Sequence, residues 1–410
     1  MNRIMNSPDR SPTRARACLH GLASVVVLWA LAFAAGVAFA QEPAPRHWDR
    51  EVAGTLLAYI EHIDRHGLEP ADYAPAALEQ AIAAGDAQAL ERRATEGFSR
   101  VAADLAVGHV RPGRRGRSYI VSDTLDPMRI ARLIDTAIEA RSVAHVLESL
   151  APRNRQYLAL RSALARLTPE QAEERRKIEA SLERWRWMPR QMGERHLLVN
   201  IPEYRLHVLA DGSEIASHRV IVGKPSTPTP QFSAQVTGVI FNPPWNVPQS
   251  IIAESVGGLV RNNPATARAR GYTWSYTNGG LRVTQQPGPG NALGQMKLDM
   301  PNPFTVYLHD TSNRDLFDGE RRTLSHGCVR TDKPFDLAEL LLAGTGWTQS
   351  RIDDVVKTRR TTRAALAPPV PVHIVYMTAY PAADGTIVYS ADPYSLDAAV
   401  TRLLDDRTGA

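Results

Sequence analysis

His196-Leu197-Leu198-Val199-Asn200-Ile201-Pro202-Glu203-Tyr204-Arg205-Leu206-His207-Val208-Leu209-Ala210 is the stretch at which this chain changes period. Before it, apolar residues recur at three-four spacing: Leu56, Leu57, Ile60 and Ile63 lead to the breaker Gly67-Leu68-Glu69-Pro70. Further helices are predicted near Ala76–Ile82, Glu91–Ala106, Pro127–Ala140 and Pro169–Arg186. Thr168-Pro169-Glu170-Gln171 reads as a helix start, with Thr as N-cap and Pro at the first position. After the switch the runs are β-type. His196–Ile201, Arg205–Leu209 and Arg219–Val222 are separated by turns at Pro202-Glu203 and Asp211-Gly212. Strands are also expected near Gln235–Phe241, Leu281–Thr284, Thr305–Leu308 and Val372–Tyr376, with one helix over Pro334–Leu342. The fold class is therefore α+β: an all-helical domain over 41–190, a mainly β domain over 195–380, and a C-terminal extension with a helix over 381–410.

Residues 1–40 belong to neither half. Arg3, Arg10, Arg14 and Arg16 precede an apolar run from Leu19 to Ala40 that closes on Ala38-Phe39-Ala40. That pattern predicts a secretory signal peptide cleaved after Ala40, hence export to the periplasm. The competing reading is an uncleaved membrane anchor, since about twenty apolar residues can span a bilayer. Losing the leader's four Arg and one Asp takes the net charge from +5 to about +2. Nothing in that balance points to nucleic acid, and the Arg111–Arg117 cluster reads as a solvated loop. The leader also removes Cys18, leaving Cys328 as the single thiol in an oxidising compartment, where thiols are usually paired or absent.

Cysteine catalysis needs a thiolate, a base for the thiol proton and donors for the oxyanion. His309, in Val306-Tyr307-Leu308-His309-Asp310, precedes Cys328 by nineteen residues, room for one excursion and a return to an adjacent strand. Gly327 permits a tight turn that could aim its amide and that of Cys328 at an acyl oxygen. His326 is a second imidazole in the same loop. A bare Cys and His are weak evidence, since most such pairs are ordinary surface or core residues. Serine chemistry is discounted: none of Lys177, Lys224, Lys297, Lys333 and Lys357 has a serine three residues before it, and Gly-x-Ser-x-Gly is absent. Without His-Glu-x-x-His or Cys-x-x-Cys, no metal or cofactor is expected.

His309, fifteen intervening residues and then Ser325-His326-Gly327-Cys328-Val329-Arg330 resemble the signature of YkuD-type L,D-transpeptidase catalytic domains. Other stretches are similar to the large, YcbB-like branch of that family. They include Leu182-Glu183-Arg184-Trp185-Arg186-Trp187, Val199-Asn200-Ile201-Pro202 and Val222-Gly223-Lys224-Pro225 with Thr229-Pro230. Asn242-Pro243-Pro244-Trp245-Asn246-Val247-Pro248, Gly288-Pro289-Gly290-Asn291-Ala292-Leu293-Gly294, Pro303 to Asp310, and Pro371 to Ala379 complete the ordered set. The resemblance implies Cys328 as nucleophile, His309 as its base, and the Asp310 backbone carbonyl as the group fixing the imidazole. It maps the acyl-oxygen donors to the Gly327 and Cys328 amides and gives His326 a loop-shaping role. Arg330 would meet a substrate carboxylate or else pair with Asp332 or Asp336. Tyr307 and Trp245 would line the donor cleft or else be core aromatics.

The implied reaction is acyl transfer on peptidoglycan. Cys328 attacks the bond between residue three of a stem tetrapeptide and the terminal D-alanine, and an amine resolves the thioester. A hydrolase using the same residues, or a non-catalytic wall scaffold, remain the alternatives. Expected partners are stem peptides and wall-synthesis or scaffold proteins, with membrane contact only through an uncleaved leader. One departure from the branch stands out. Tyr157-Leu158-Ala159-Leu160 runs almost directly into Thr168, with no room for an inserted wall-binding module. A short cap over the site is expected at 249–281, hinged at Asn262-Asn263-Pro264 and Gly279-Gly280.

Overall fold

The computed structural model describes residues 47–121 and 124–406. The expected leader over 1–40, with Cys18, lies outside the described residues.

Among the described residues seven α-helices precede the sheet: α1 (Arg50–Glu61), α2 (Pro75–Ala84), α3 (Ala87–Val107), α4 (Pro127–Glu139), α5 (Val143–Leu150), α6 (Arg155–Leu164) and α7 (Ala172–Arg186). Three start on a capping aspartate that accepts backbone N–H groups otherwise orphaned at a helix start. Asp49 accepts from Val52, Asp86 from Gln88 and Ala89, and Asp126 from Arg129. The apolar stripes of these helices meet in one core around Leu56, Ile60, Phe98, Val101, Leu147, Tyr157 and Leu182. Helices α5 and α6 were not anticipated. The expected start of α7 was also wrong. Thr168–Gln171 closes its own turn, with the Gln171 N–H on the Thr168 carbonyl (3.1 Å) and the Gln171 side chain reaching back to the Thr168 N–H (3.3 Å). The side chain that would have reinforced a cap instead satisfies a separate turn, and the helix begins at Ala172.

The β half is a nine-stranded mixed sheet. Its strands are β1 (Arg195–Asn200), β2 (Arg205–Ala210), β3 (Ser213–Gly223), β4 (Phe232–Phe241), β8 (Met296–Asp299), β9 (Leu308–His309), β10 (Thr323–Ser325), β11 (Val329–Thr331) and β12 (Thr362–Val375). They lie in the order β10-β3-β11-β9-β8-β4-β12-β1-β2, closed by a further pairing of β3 with β2. Alternate residues of most of these strands, among them Val199, Val208, Val222, Val239, Leu298, Leu308 and Val329, form a second core with the helix Pro334–Leu341. β1 also sends Leu198 into the helical core, so its alternation joins the two halves. Thr305 does not begin a strand as expected. It sits at φ +56°, outside the β region, and the strand is confined to Leu308–His309.

A small subdomain rises between β4 and β8. β5 (Trp245–Asn246), β6 (Tyr272–Thr277) and β7 (Gly280–Gln285) form a three-stranded sheet, and the intervening helical run covers residues 249–269. Val247, Ile252, Val256, Val260, Ala267, Leu281 and Val283 give it a core of its own. Asn263 breaks the helical run and caps the next helix through Thr266. Gly279-Gly280 is not a hinge: Thr277 pairs with Gly280, which makes it the tip of the β6–β7 hairpin. After β12 the chain forms the hairpin β13 (Ala379–Pro381) with β14 (Ile387–Tyr389), then a helix at Asp397–Leu404. Val400 and Leu404 of that helix pack on Val110, Ala180 and Trp187, and Asp397 meets Arg184.

Candidate active site

β9 and β11 are adjacent and parallel, with Leu308 opposite Val329 and His309 opposite Arg330. Side chains alternate across a strand, and residues in register share a face. Leu308 and Val329 point into the core. His309 and Arg330 therefore face the other way, and the alternation carries Tyr307 and Cys328 to that same face. Lys297 on β8 is in register with His309 and joins them, its Nζ 4.4 Å from the centre of the Tyr307 ring. Four of the residues singled out from the sequence thus meet on one surface, with Lys297 as an addition. Lys297 was legible: Met296-Lys297-Leu298-Asp299 alternates apolar and polar, a strand signal that the sequence reading passed over.

The buried imidazole of His309 places Nδ1 2.5 Å from the Asp310 carbonyl oxygen. A carbonyl only accepts, so this contact assigns the proton to Nδ1 and leaves Nε2 with a lone pair. Asp310 is itself fixed. Its carboxylate accepts from the Gln295 N–H (2.9 Å) and from Arg314 (3.2 Å), and a Cβ on Gly294, at φ +63°, would collide with it. Burial pushes the imidazole down to about 4; the carbonyls of Asp310 and Leu293 oppose this, and Arg330 and Lys297 add to it. Burial pushes the Cys328 thiol up, against the Tyr307 backbone N–H, Arg330 and Lys297, which favour the thiolate. At neutral pH both are thus held neutral, a thiol and an imidazole on one face of the sheet.

The turn carrying Cys328 is clipped shut by Ser325. Its Oγ donates to the Cys328 carbonyl (2.5 Å) and accepts the Gly327 N–H (3.0 Å). The Gly327 amide is therefore taken, contrary to its expected use as an oxyanion donor. The Cys328 N–H has no acceptor among the described residues. Gly327 does serve the turn, at φ +113°, where a Cβ would be strained. Its carbonyl accepts from Thr229 Oγ1 (2.8 Å), which also receives the Gly223 N–H (2.9 Å). Tyr394, from the C-terminal extension, donates to the Gly223 carbonyl (2.6 Å). Ser325, Thr229 and Tyr394 were not singled out as site residues from the sequence; Thr229 and Tyr394 act through neighbours distant in the chain, whereas Ser325 acts on its own turn.

His326 does not shape this turn. Its Nε2 lies 2.9 Å from the carboxylate of Glu254 on the cap, which also lies 3.7 Å from Lys224 Nζ. Trp245 is not brought to the Cys328 face; it packs, partly buried, on the cap's own cluster. The suggested partner of Arg330 is engaged elsewhere, since Asp332 pairs with Arg219 (2.8 Å). Among the described residues no ion pair joins Arg330 to a carboxylate, and no group of His, Cys, Asp and Glu is arranged to hold a metal.

Residues 194–371 match the YkuD family, described as the L,D-transpeptidase catalytic domain, and residues 41–164 match a family described as a scaffold domain. A Haemophilus influenzae protein named "Putative L,D-transpeptidase" is 33% identical over 283 residues, 64% of this chain and 57% of that protein. The chain thus spans a little over half the length of that relative. Among solved structures, an L,D-transpeptidase from Mycobacterium smegmatis overlaps 44% of this chain and 58% of its own (14% identity, TM-score 0.26). L,D-transpeptidase 1 of Mycobacterium tuberculosis overlaps 44% and 61% (13% identity, TM-score 0.22). Overlaps this slight carry no weight beside the sequence match.

Proposed function

We propose that this chain, whose residues 194–371 match the YkuD L,D-transpeptidase catalytic domain and 41–164 a scaffold domain, is a murein L,D-transpeptidase of the YcbB-like branch acting on the cell wall from the periplasm. The observation that carries the reading is the shared face of His309, Cys328 and Arg330, with the imidazole Nδ1 tied to the Asp310 carbonyl.

In the first step Cys328 Sγ attacks the carbonyl that joins residue three of a stem tetrapeptide to its terminal D-alanine, while His309 Nε2 takes the thiol proton. The S–C bond forms, the C–N bond to D-alanine breaks, and the imidazolium hands its proton to the departing amine. The Cys328 N–H, without an acceptor among the described residues, receives the oxyanion. Arg330 and Lys297 add positive charge beside the thiol and offer a substrate carboxylate its counter-charge. In the second step an acceptor amine attacks the thioester, its proton passes to His309, and the thiol is restored. With another stem's residue-three side chain as acceptor, the product is a 3-3 cross-link. Export through a leader cleaved near Ala40 places the enzyme beside this substrate.

The test is mass spectrometry of purified protein with a tetrapeptide muropeptide, with and without a stem acceptor. An acyl-enzyme that has lost D-alanine, resolved to a cross-linked dimer when acceptor is present, is the expected result. Tripeptide alone, at every acceptor concentration, would instead assign a carboxypeptidase.

A further inference from the structure

We infer that the scaffold domain completes the active site, supplying through Arg117 and Tyr119 a subsite for the carboxylate-bearing acceptor peptide. This rests on the transpeptidase reading above and extends it to a second chain.

The arginine cluster at 111–117 is the exposed loop that its composition suggests, except at Arg115, and it is pinned at both ends. Arg111 pairs with the buried Asp104 (2.8 Å), and Arg115 is buried, donating to the Val110 and Val107 carbonyls over the Trp187 ring. The loop's root is bound by Glu183, which accepts the N–H groups of His109 and Val110. Its far end runs as a short strand-like bridge against Gln231: the Gln231 N–H reaches the Arg117 carbonyl (3.3 Å) and the Tyr119 N–H reaches the Gln231 carbonyl (2.8 Å). Ser118 between them is buried, so the alternation of an extended chain turns Arg117 and Tyr119 outward together.

Both line a cavity of about 280 Å³ whose other walls include Pro228, Phe304, His326 and Gly327. Tyr119 lies 4.6 Å from Phe304, which lies 4.9 Å from Phe232. An aromatic exposed by half its surface is thereby held at the cavity's edge. Arg117 has no carboxylate partner among the described residues, and the one acidic group at the neighbouring His326 is Glu254, already on that imidazole. The cavity is thus a firm apolar wall with one uncommitted guanidinium, suited to a short extended peptide that ends in or carries a carboxylate.

Its position selects which peptide. Phe304 and Val306 line it together with Gly327, and Thr305 between the first two places its carbonyl 3.9 Å from Cys328 Sγ, so a chain in the cavity lies against the turn that carries the thiol. Yet Val306 belongs to the core side of this strand, whereas Tyr307, His309, Arg330 and Lys297 occupy the opposite side. Arg117 on the cavity and Arg330 with Lys297 on the opposite side therefore flank the turn that carries the sulfur, and the reaction brings two peptide chains to it. With Arg330 and Lys297 beside the base that activates the thiol for the donor, Arg117 is left for the acceptor.

The test uses the full chain and the Arg117→Glu variant, with Arg117→Lys as the conservative control and a thermal melt of each. Three rates are measured: thioester formation from tetrapeptide alone, dimer formation with a stem acceptor, and thioester resolution by a small amine without a carboxylate. Arg117→Glu is expected to raise the acceptor KM at least about tenfold, the size of one charge-assisted hydrogen bond. Thioester formation and resolution by the neutral amine stay within about twofold of the native chain, and Lys restores most of the loss. Unchanged dimer formation would overturn the inference, and so would a parallel fall in thioester formation, which would place the donor in this cavity. A native chain that forms no thioester would instead sink the transpeptidase reading, a result visible before any Arg117 variant is made.

Discussion

Glu183–Arg186 in the helical half and Cys328–His309 in the β half both take ionisable groups out of water, and they resolve that burial in opposite ways. Glu183 is saturated: it accepts from Val110, His109 and Trp187 Nε1 and twice from Arg186. Arg186 spends its remaining donors on the His66 carbonyl and the Tyr157 hydroxyl. A buried ion pair is tolerable only when its polar atoms find further partners, and here every side-chain nitrogen and oxygen of the pair has one. Around Cys328 the protein stops short. The Cys328 N–H and Arg330 are left without an acceptor or a carboxylate among the described residues, and both titrating partners are held neutral. Saturation marks a group that holds the fold; a vacancy beside a polarised pair marks a group awaiting substrate.

The contrast breaks first, and most visibly, at the thiol. Cys328→Ala is expected to abolish the acyl-enzyme seen by intact mass, with turnover down at least about a thousandfold. The melting temperature should barely move, since the thiol's approach to the Thr305 carbonyl is long, at 3.9 Å. Release of D-alanine by that variant would remove Cys328 from the mechanism. Next comes His309→Ala, expected to slow acylation about 10²–10⁴-fold. Because the imidazole must be neutral to accept the proton and burial holds it near 4, native acylation should stay level from pH 7 to about 5 and fall through pH 4. A decline centred on the ordinary histidine value would contradict the burial argument.

In the helical half the same comparison predicts stability loss. Glu183→Ala leaves Arg186 buried and unpaired and frees the root of the arginine loop, at about 3–5 kcal/mol in urea unfolding. A loss under about 1 kcal/mol would mean that the pair is not the keystone its contacts suggest. Acid supplies a related measurement. Burial pushes His66, His309 and His373 each down to about 4, whereas the unfolded chain protonates them near 6.5. Between those values the unfolded state binds more protons, so stability falls as pH is lowered through that window, read as a dropping melting temperature. The smallest effect belongs to the cap. Glu254→Gln removes an exposed pair with His326, worth about 0.2–1 kcal/mol, so turnover should shift by less than about fivefold and the shift should shrink in salt.

How much of this was legible in advance depends on the range of the interaction. Period alone separated the helical half from the sheet, because both periodicities are written in consecutive residues. Among the strands missed or clipped, β8 is four residues and β9 is cut to two by the left-handed Thr305, whereas β6 was missed despite six regular residues. Helix α7 began late because Gln171 found a nearer use. At the site, Cys328, His309 and the Asp310 carbonyl lie within one excursion of the chain, and their types and spacing could be read directly. Gly327 was correctly placed at the turn, but its amide was assigned wrongly, since Ser325 Oγ claims it.

The sequence by itself determined the two-part fold and the resemblance that singles out Cys328 and His309, because these reside in local periodicity and in ordered motifs. Only the tertiary structure decided who stands around that pair. Lys297 reaches His309 through β-sheet register, and Tyr394 braces the Gly223 turn from a hydrogen bond 171 residues away. Glu254 meets His326 across the cap, and Arg117 is delivered by a loop of the other half. Register, closure of the sheet and docking of the halves arise from burying separate apolar faces together. No window of consecutive residues contains both partners of such a contact, so no local pattern could announce it.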